Sequence, residues 1–168
     1  IAVVMVAPAF IMLKVPDYAA HMFVFYYAIL SEVSPPTALS PFAAAAICKG
    51  NPYKTTLYAW KYTLPAFLIP FTFTIHPKGV GLLLKGSPFD VVTTFVTALL
   101  GVLALAGGVD SWFFKRTTVL ERALLILAGL ALMYPAGWAD IVGIVLTGIV
   151  VLSQKLRKDE PYVSSRRL

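Results

Sequence analysis

Long apolar runs alternate along this chain with short polar gaps, and the placement of the gaps predicts the elements. Residues 1–13, IAVVMVAPAFIML, are apolar but too short to cross a bilayer as a helix, which takes roughly 20 residues, and Pro8 interrupts them. They suit the returning limb of a re-entrant hairpin or the end of a helix that starts earlier. Lys14 to Asp17 reads as a turn, with Asp17 placed to cap a helix from Tyr18. That helix runs to about Val33, where Pro35 and Pro36 stop it. Each proline lacks an N–H and turns the residue before it away from helical geometry. Thr37 is placed to cap a second, shorter helix through Ile47, ended by Lys49 and Gly50. At about 1.5 Å per residue the two halves reach roughly 40 Å, a full crossing with some tilt. The pattern predicts one discontinuous transmembrane helix over residues 18–47.

Asn51 and Pro52 open the next helix, with Asn as cap and Pro in the first turn. It is amphipathic through Lys54, Trp60, Lys61 and Tyr62, then apolar to Ile75. This reads as an interfacial approach followed by a crossing, bent near Pro65 and Pro70. The stretch from His76 to Ser87, with its glycines and two lysines, is expected to be an exposed loop. Beyond it, Ser87-Pro88 opens a crossing to about Val109, and a capping box, Thr118 with Glu121, opens another that ends at Tyr134-Pro135. A last crossing runs from about Gly137 to Ser153. These three helices are nearly empty of polar groups, and Gly107, Gly108, Gly143 and Gly148 are expected to let them approach closely. The chain thus divides into residues 1–85, holding the broken helix and the helix 52–75; a three-helix extension, 86–155; and a charged tail, 156–168.

Composition sharpens the class. Of the 168 residues 59% are hydrophobic and 13% charged, with a mean hydropathy of +0.81; a soluble domain carries roughly 25% charged residues. The fold class is therefore an all-α integral membrane protein. A net charge of +6 raises nucleic acid as a partner, but the basic residues lie in the gaps between apolar runs, as membrane topology dictates. Eleven of the 14 basic residues fall in alternate gaps counted back from the tail, against three (Lys14, Lys78 and Lys85) in the others. That bias predicts a multi-pass protein with a cytoplasmic C-terminus, and it holds only if 18–47 is a single crossing. Cys48, the one cysteine, provides no disulfide framework. The start at Ile1, inside an apolar run, reads as the C-terminal part of a longer protein. No Ser/His/Asp grouping, phosphate loop or metal-ligand cluster is visible in the sequence, which argues against an enzyme.

The stretch SEVSPPTALSP, Ser31 to Pro41, is the candidate site. It puts a carboxylate, four hydroxyls and two adjacent prolines at the middle of the broken crossing. Lipid tolerates open backbone only where it lines a protein-enclosed cavity, and discontinuous helices mark ion and substrate sites in secondary transporters.

HMFVFYYAILSEVSPPTAL, then ICKGNPYKTTLYAWKY and LPAFLIPFTFTIHP, resemble the C-terminal part of the large membrane subunit of tripartite ATP-independent periplasmic (TRAP) transporters. The likeness covers residues 5 to 85 and is greatest to the fused-permease branch that works with TAXI-type binding proteins. It implies a fragment of an elevator-type importer in a bacterial or archaeal cytoplasmic (inner) membrane. It implies sodium coupling, a periplasmic binding protein as partner, and a small organic anion, of the dicarboxylate or keto-acid class, as solute. Carried over by position, the sodium ligands are Ser31 (through its carbonyl), Ser34 and Thr37. The spacing of these residues is compatible: they stand three apart, on one helix face where the helix lasts. Pro35 and Pro36 free carbonyls one turn back, and the second half-helix offers its positive end to an anion.

Glu32 is the costliest residue there, at roughly 3 kcal/mol for a central carboxylate. It reads as a sodium partner, as a protonatable coupling group, or as a carboxylate paired elsewhere; with Pro35 and Pro36 it is assigned to substrate or coupling. The alternatives to the sodium-driven importer are a proton-coupled version of it and a non-transporting scaffold subunit.

Overall fold

The structure, a computed structural model, describes residues 2–157, so the tail beyond Arg157 lies outside the described residues. Seven α-helices follow one another: α1 Ala2–Met12, α2 Asp17–Leu30, α3 Leu39–Ile47, α4 Pro52–Ile75, α5 Pro88–Asp110, α6 Val119–Met133 and α7 Gly137–Leu156. A 3-10 helix, Pro77–Leu83, joins α4 to α5, and no strand occurs among the described residues.

Among the described residues two helices, α5 and α7, are long and apolar enough to cross a membrane. Their outward faces carry Phe95, Leu99 and Leu103 on α5, and Ile141, Val145 and Ile149 on α7, each about half exposed or more. Apolar area of that extent is a surface made for lipid or for a partner. The third expected crossing, α6, has 15 residues, a rise of about 22 Å. Its start is fixed by the capping box, in which Glu121 and Thr118 bond each other's backbone N–H, and Pro135 follows its end.

Glycine decides how the last three helices meet. A Cβ on Gly129 would lie 2.8 Å from the Gly101 carbonyl oxygen and 2.4 Å from Leu105 Cγ. A Cβ on Gly143 would lie 2.9 Å from the Ala128 carbonyl. The backbones of α5, α6 and α7 therefore touch where side chains are missing. Gly148, expected in the same role, has open space where its Cβ would be. The sealed layer holds Ala104, Leu125 and Val150, with Phe113 and Leu124 against it.

One end of this trio is polar and tightly tied. The loop from Ser111 to Thr118 folds as a small hairpin in which Trp112 bridges Arg116, Trp112, Phe114 and Arg116 face outward, and Phe113 packs inward on Gly107. Fully buried Gln154 of α7 accepts from the N–H groups of Phe114 (3.1 Å) and Lys115 (3.3 Å). Buried Glu121 accepts from Ser153 Oγ at 3.1 Å and meets Arg157 Nη1 at 3.5 Å. Arg157 Nη2 in turn donates to the Arg116 carbonyl, and Lys115 Nζ to that of Arg157.

The first half is organised on α4, a single helix through both of its prolines, which are buried. α1 packs on α2, and both α2 and α3 pack on α4. Phe10, Phe23, Tyr27, Phe67 and Phe71 form the aromatic seam, with ring centroids 4.7–6.2 Å apart. The Tyr27 hydroxyl adds a 2.6 Å bond to the Phe67 carbonyl.

Of the expected exposed loop at 76–87, Leu84 to Ser87 is exposed, but Pro77–Leu83 forms a packed wedge. A Cβ on Gly79 would fall 1.7 Å from the Thr72 carbonyl oxygen, and one on Gly81 2.9 Å from that of Asp90. Only glycine lets the chain lie so close to both α4 and α5. Thr94 Oγ1 donates to the Lys78 carbonyl at 3.3 Å, and the His76 ring meets Tyr134 edge-on at 5.7 Å. At the other end Lys61 Nζ reaches Asp110 at 3.4 Å, so the extension is tied to α4 at both ends.

Candidate functional site

The sequence places a helix stop, two prolines and a helix start within eight residues, and the structure folds them into one compact loop. α2 ends at Leu30, with Ser31 still helical (φ −60°, ψ −25°) and its N–H bonded to the Tyr27 carbonyl. Glu32 and Val33 continue in tight turns on the carbonyls of Ile29 and Leu30. The Pro35–Pro36 peptide is cis, and the chain re-enters helix at Leu39.

Thr37 does not cap α3. Its hydroxyl turns back, donating to the Ser31 carbonyl at 2.5 Å with a longer 3.3 Å approach to the Ser34 carbonyl. The reason is geometric: the tight turn brings the end of α2 within reach of a hydroxyl that would otherwise serve the next helix. Ala38 takes the capping position instead, in the left-handed region (φ 42°, ψ 38°), a conformation costing roughly 1–2 kcal/mol for a residue with a Cβ. Its burial, at 1% exposure, and its N–H bond to the Ser34 carbonyl (3.0 Å) hold it there. Nor does Asp17 cap α2; it forms the first helical residue and Pro16 precedes it.

Ser31, Ser34 and Thr37 are thus brought together, though through carbonyls as much as hydroxyls. Ser31 Oγ is used locally, donating to the Ala28 carbonyl at 2.6 Å. The converging oxygens are the carbonyls of Ser31 and Ser34 and Thr37 Oγ1. Such neutral oxygens suit a hard monovalent cation and not a transition metal. Among the described residues no group of three or more His, Cys, Asp and Glu is placed to hold a metal.

Glu32 is exposed and stands apart from those three oxygens. Its partner is one the sequence reading missed: Ser40 Oγ lies 3.4 Å from Oε2, and the Ser40 N–H bonds the Glu32 carbonyl at 3.3 Å. Eight residues and two prolines separate the two, so no helical spacing announces the contact. Glu32 makes no ion pair with the described residues. Pro35 and Pro36 are exposed beside it, and the loop as a whole opens to the surface of this chain.

Residues 1–78 match the family model described as "Tripartite ATP-independent periplasmic transporter, DctM component", and residues 91–143 match that of a domain of unknown function (DUF3394). The first of these is a family of transporter permeases, not of enzymes. No curated protein and no solved structure matches the chain.

Proposed function

We propose that this chain forms part of a sodium-coupled importer of small organic anions, of the binding-protein-dependent TRAP class, with the loop between α2 and α3 as the ion site. The observation that carries the reading is the meeting of the Ser31 carbonyl, the Ser34 carbonyl and Thr37 Oγ1 within the segment that matches the permease family. Three oxygens drawn together by one hydroxyl proton are oxygens that a single positive charge also holds. The C-terminal end of a half-helix adds its negative dipole to that task, and the N-terminal end of α3 offers the opposite sign to an anionic solute.

In this reading α2 and α3 are the halves of one discontinuous transmembrane helix in an elevator-type transport domain. Their lengths, 14 and 9 residues, give about 21 and 14 Å of rise, enough together for one crossing. The charge bias puts the C-terminus in the cytoplasm, the solute is a dicarboxylate or keto acid, and the partner is a periplasmic binding protein of TAXI type. In this reading the rest of the ion's shell and the solute pocket are supplied by other parts of the transporter.

Proton coupling is favoured by one observation: the Glu32 carboxylate is exposed, and among the described residues its side chain meets only Ser40. The two versions separate in proteoliposomes holding the full-length protein, its binding protein and a panel of radiolabelled dicarboxylates and 2-oxo acids. An inward sodium gradient should drive uptake, and Thr37→Val, which removes the one side-chain oxygen of the three, should weaken that dependence. Uptake driven by a pH gradient, indifferent to sodium and lost in Glu32→Gln, would replace the sodium reading with the proton one.

A further inference from the structure

We infer that the hairpin from Trp112 to Arg116 is a membrane-interface anchor that binds an anionic phospholipid. The inference rests on the membrane setting proposed above. The alternation of side chains across the hairpin puts Trp112 (57% exposed) and Phe114 (62%) on its outer side together with the exposed Arg116. The Trp112 indole so displayed at the end of apolar helices belongs at headgroup level, where an amphipathic ring has one apolar and one wet side, and the Phe114 phenyl belongs on the apolar side of that level. The display is rigid. Gln154 holds the Phe114 and Lys115 amides, Phe113 is driven into the sealed layer, and Arg157 grips the Arg116 carbonyl. A loop meant only to connect two helices has no use for a fully buried amide as its post.

Charge complementarity identifies the occupant. The Arg116 side chain makes no ion pair with the described residues, and Lys115 and Arg157 stand beside it. Glu121, the acid at this end of α6, is already engaged by Arg157, Ser153 and the Thr118 N–H. Next to this cationic end a groove runs between α6 and α7; Leu120, Leu124, Ile149 and Val150 form its apolar part, and Thr118, Ser153 and the Glu121–Arg157 pair its polar end. A phosphodiester over an apolar cleft is the chemistry of a phospholipid: headgroup at Arg116, one acyl chain along Leu120 and Ile149.

Trp112 is the reporter. In the full-length protein carrying Trp60→Phe and Trp138→Phe, within residues 1–168 its fluorescence alone remains, and any tryptophan outside them is likewise replaced. The protein is reconstituted in vesicles containing either dibrominated phosphatidylglycerol or dibrominated phosphatidylcholine. A juxtamembrane cation is worth about fivefold in affinity for anionic lipid, so half-quenching should need several-fold less of the brominated phosphatidylglycerol. Arg116→Gln should remove about fivefold of that preference, and Arg116→Lys should keep it. Superimposable quenching curves for the two lipids, or a preference untouched by Arg116→Gln, would overturn the lipid site while leaving the transport reading intact. Failure of both lipids to quench would remove the membrane placement on which both stand.

Discussion

Gln154 lends itself to a quantitative test because its role can be isolated. The side chain is wholly buried, and its Oε1 is the acceptor for two backbone N–H groups of the hairpin, at 3.1 and 3.3 Å. Gln154→Met keeps the volume and removes the acceptor. Leaving a buried donor unsatisfied costs about 1–3 kcal/mol, so two partly buried donors give roughly 2–6 kcal/mol. Against this, the buried Gln154 Nε2 makes no hydrogen bond of full geometry and has only a weak approach to Glu121, so its removal returns about 1 kcal/mol. With the donors only partly buried the low end applies, and the net loss is about 2 kcal/mol, concentrated in the hairpin, because α7 on either side still rests on Val150 and on the Glu121–Arg157 pair. At about 1.4 kcal/mol per tenfold, amide hydrogen exchange at Phe114 and Lys115 should speed up about thirtyfold. Amides in the middle of α7 should change little. The measurement is hydrogen exchange by mass spectrometry on the protein in detergent or nanodiscs. Unchanged exchange at Phe114 and Lys115 would show that the hairpin stands without Gln154. Loss of protection spread evenly over α7 would show that the substitution had damaged packing and not the tether.

The remaining expectations concern the helix seams, the ion pairs and the loop. Gly129→Ala, whose new methyl would meet Leu105 and the Gly101 carbonyl, should lower stability by about 1–3 kcal/mol. Gly148→Ala, with open space around it, should be neutral or gain up to about 1 kcal/mol; thermal inactivation in detergent compares them. Asp110→Asn, at a pair that is 41% and 33% exposed, should change the inactivation midpoint by an amount equivalent to less than about 1 kcal/mol. Glu121→Ala, which strips a capping box and leaves Arg157 without its carboxylate, should cost about 2 kcal/mol or more. Thr37→Val should raise the sodium concentration for half-maximal uptake by about tenfold or more, since a polar contact to a charge contributes about 1.5–3 kcal/mol. Thr37→Ser should leave it near the wild-type value, and an equal response of the two variants would remove Thr37 from the ion site.

Much of this architecture is legible in the chain because helix ends announce themselves. Asn51, Ser87 and Thr118 each cap the helix expected of them through a side-chain oxygen. The break at Pro35-Pro36 is equally plain, since adjacent prolines remove two successive donors and turn the residues before them from helical geometry, whereas the separated Pro65 and Pro70 leave α4 continuous. Thr37 shows where such reading stops: a hydroxyl beside a helix start has two local uses, and only the path of the turn decides between them. The glycines teach the same lesson. Gly79 and Gly81 suggest a pliant loop, yet they are there because backbone carbonyls of Thr72 and Asp90 press on them. Gly148 looks like a packing residue and faces open space, while Gly101 and Gly129 carry the contact. Ser40 beside Glu32, and Lys61 beside Asp110, are meetings across turns or between helices, which no periodicity within one helix encodes.

The wedge at Pro77–Leu83 bears on how the two matched segments relate. The boundary between them falls between residues 78 and 91, inside or beside chain that is jammed between α4 and α5. A junction between independently moving parts is usually a polar linker that a protease finds easily. Here only Leu84 to Ser87 has that exposed character, and Pro77–Leu83 beside it is a keystone between the two helices. A force on α4 would pass through Pro77–Leu83 to α5, and from α5 to α6 and α7 through their glycine contacts, so the two matched segments share one mechanical frame.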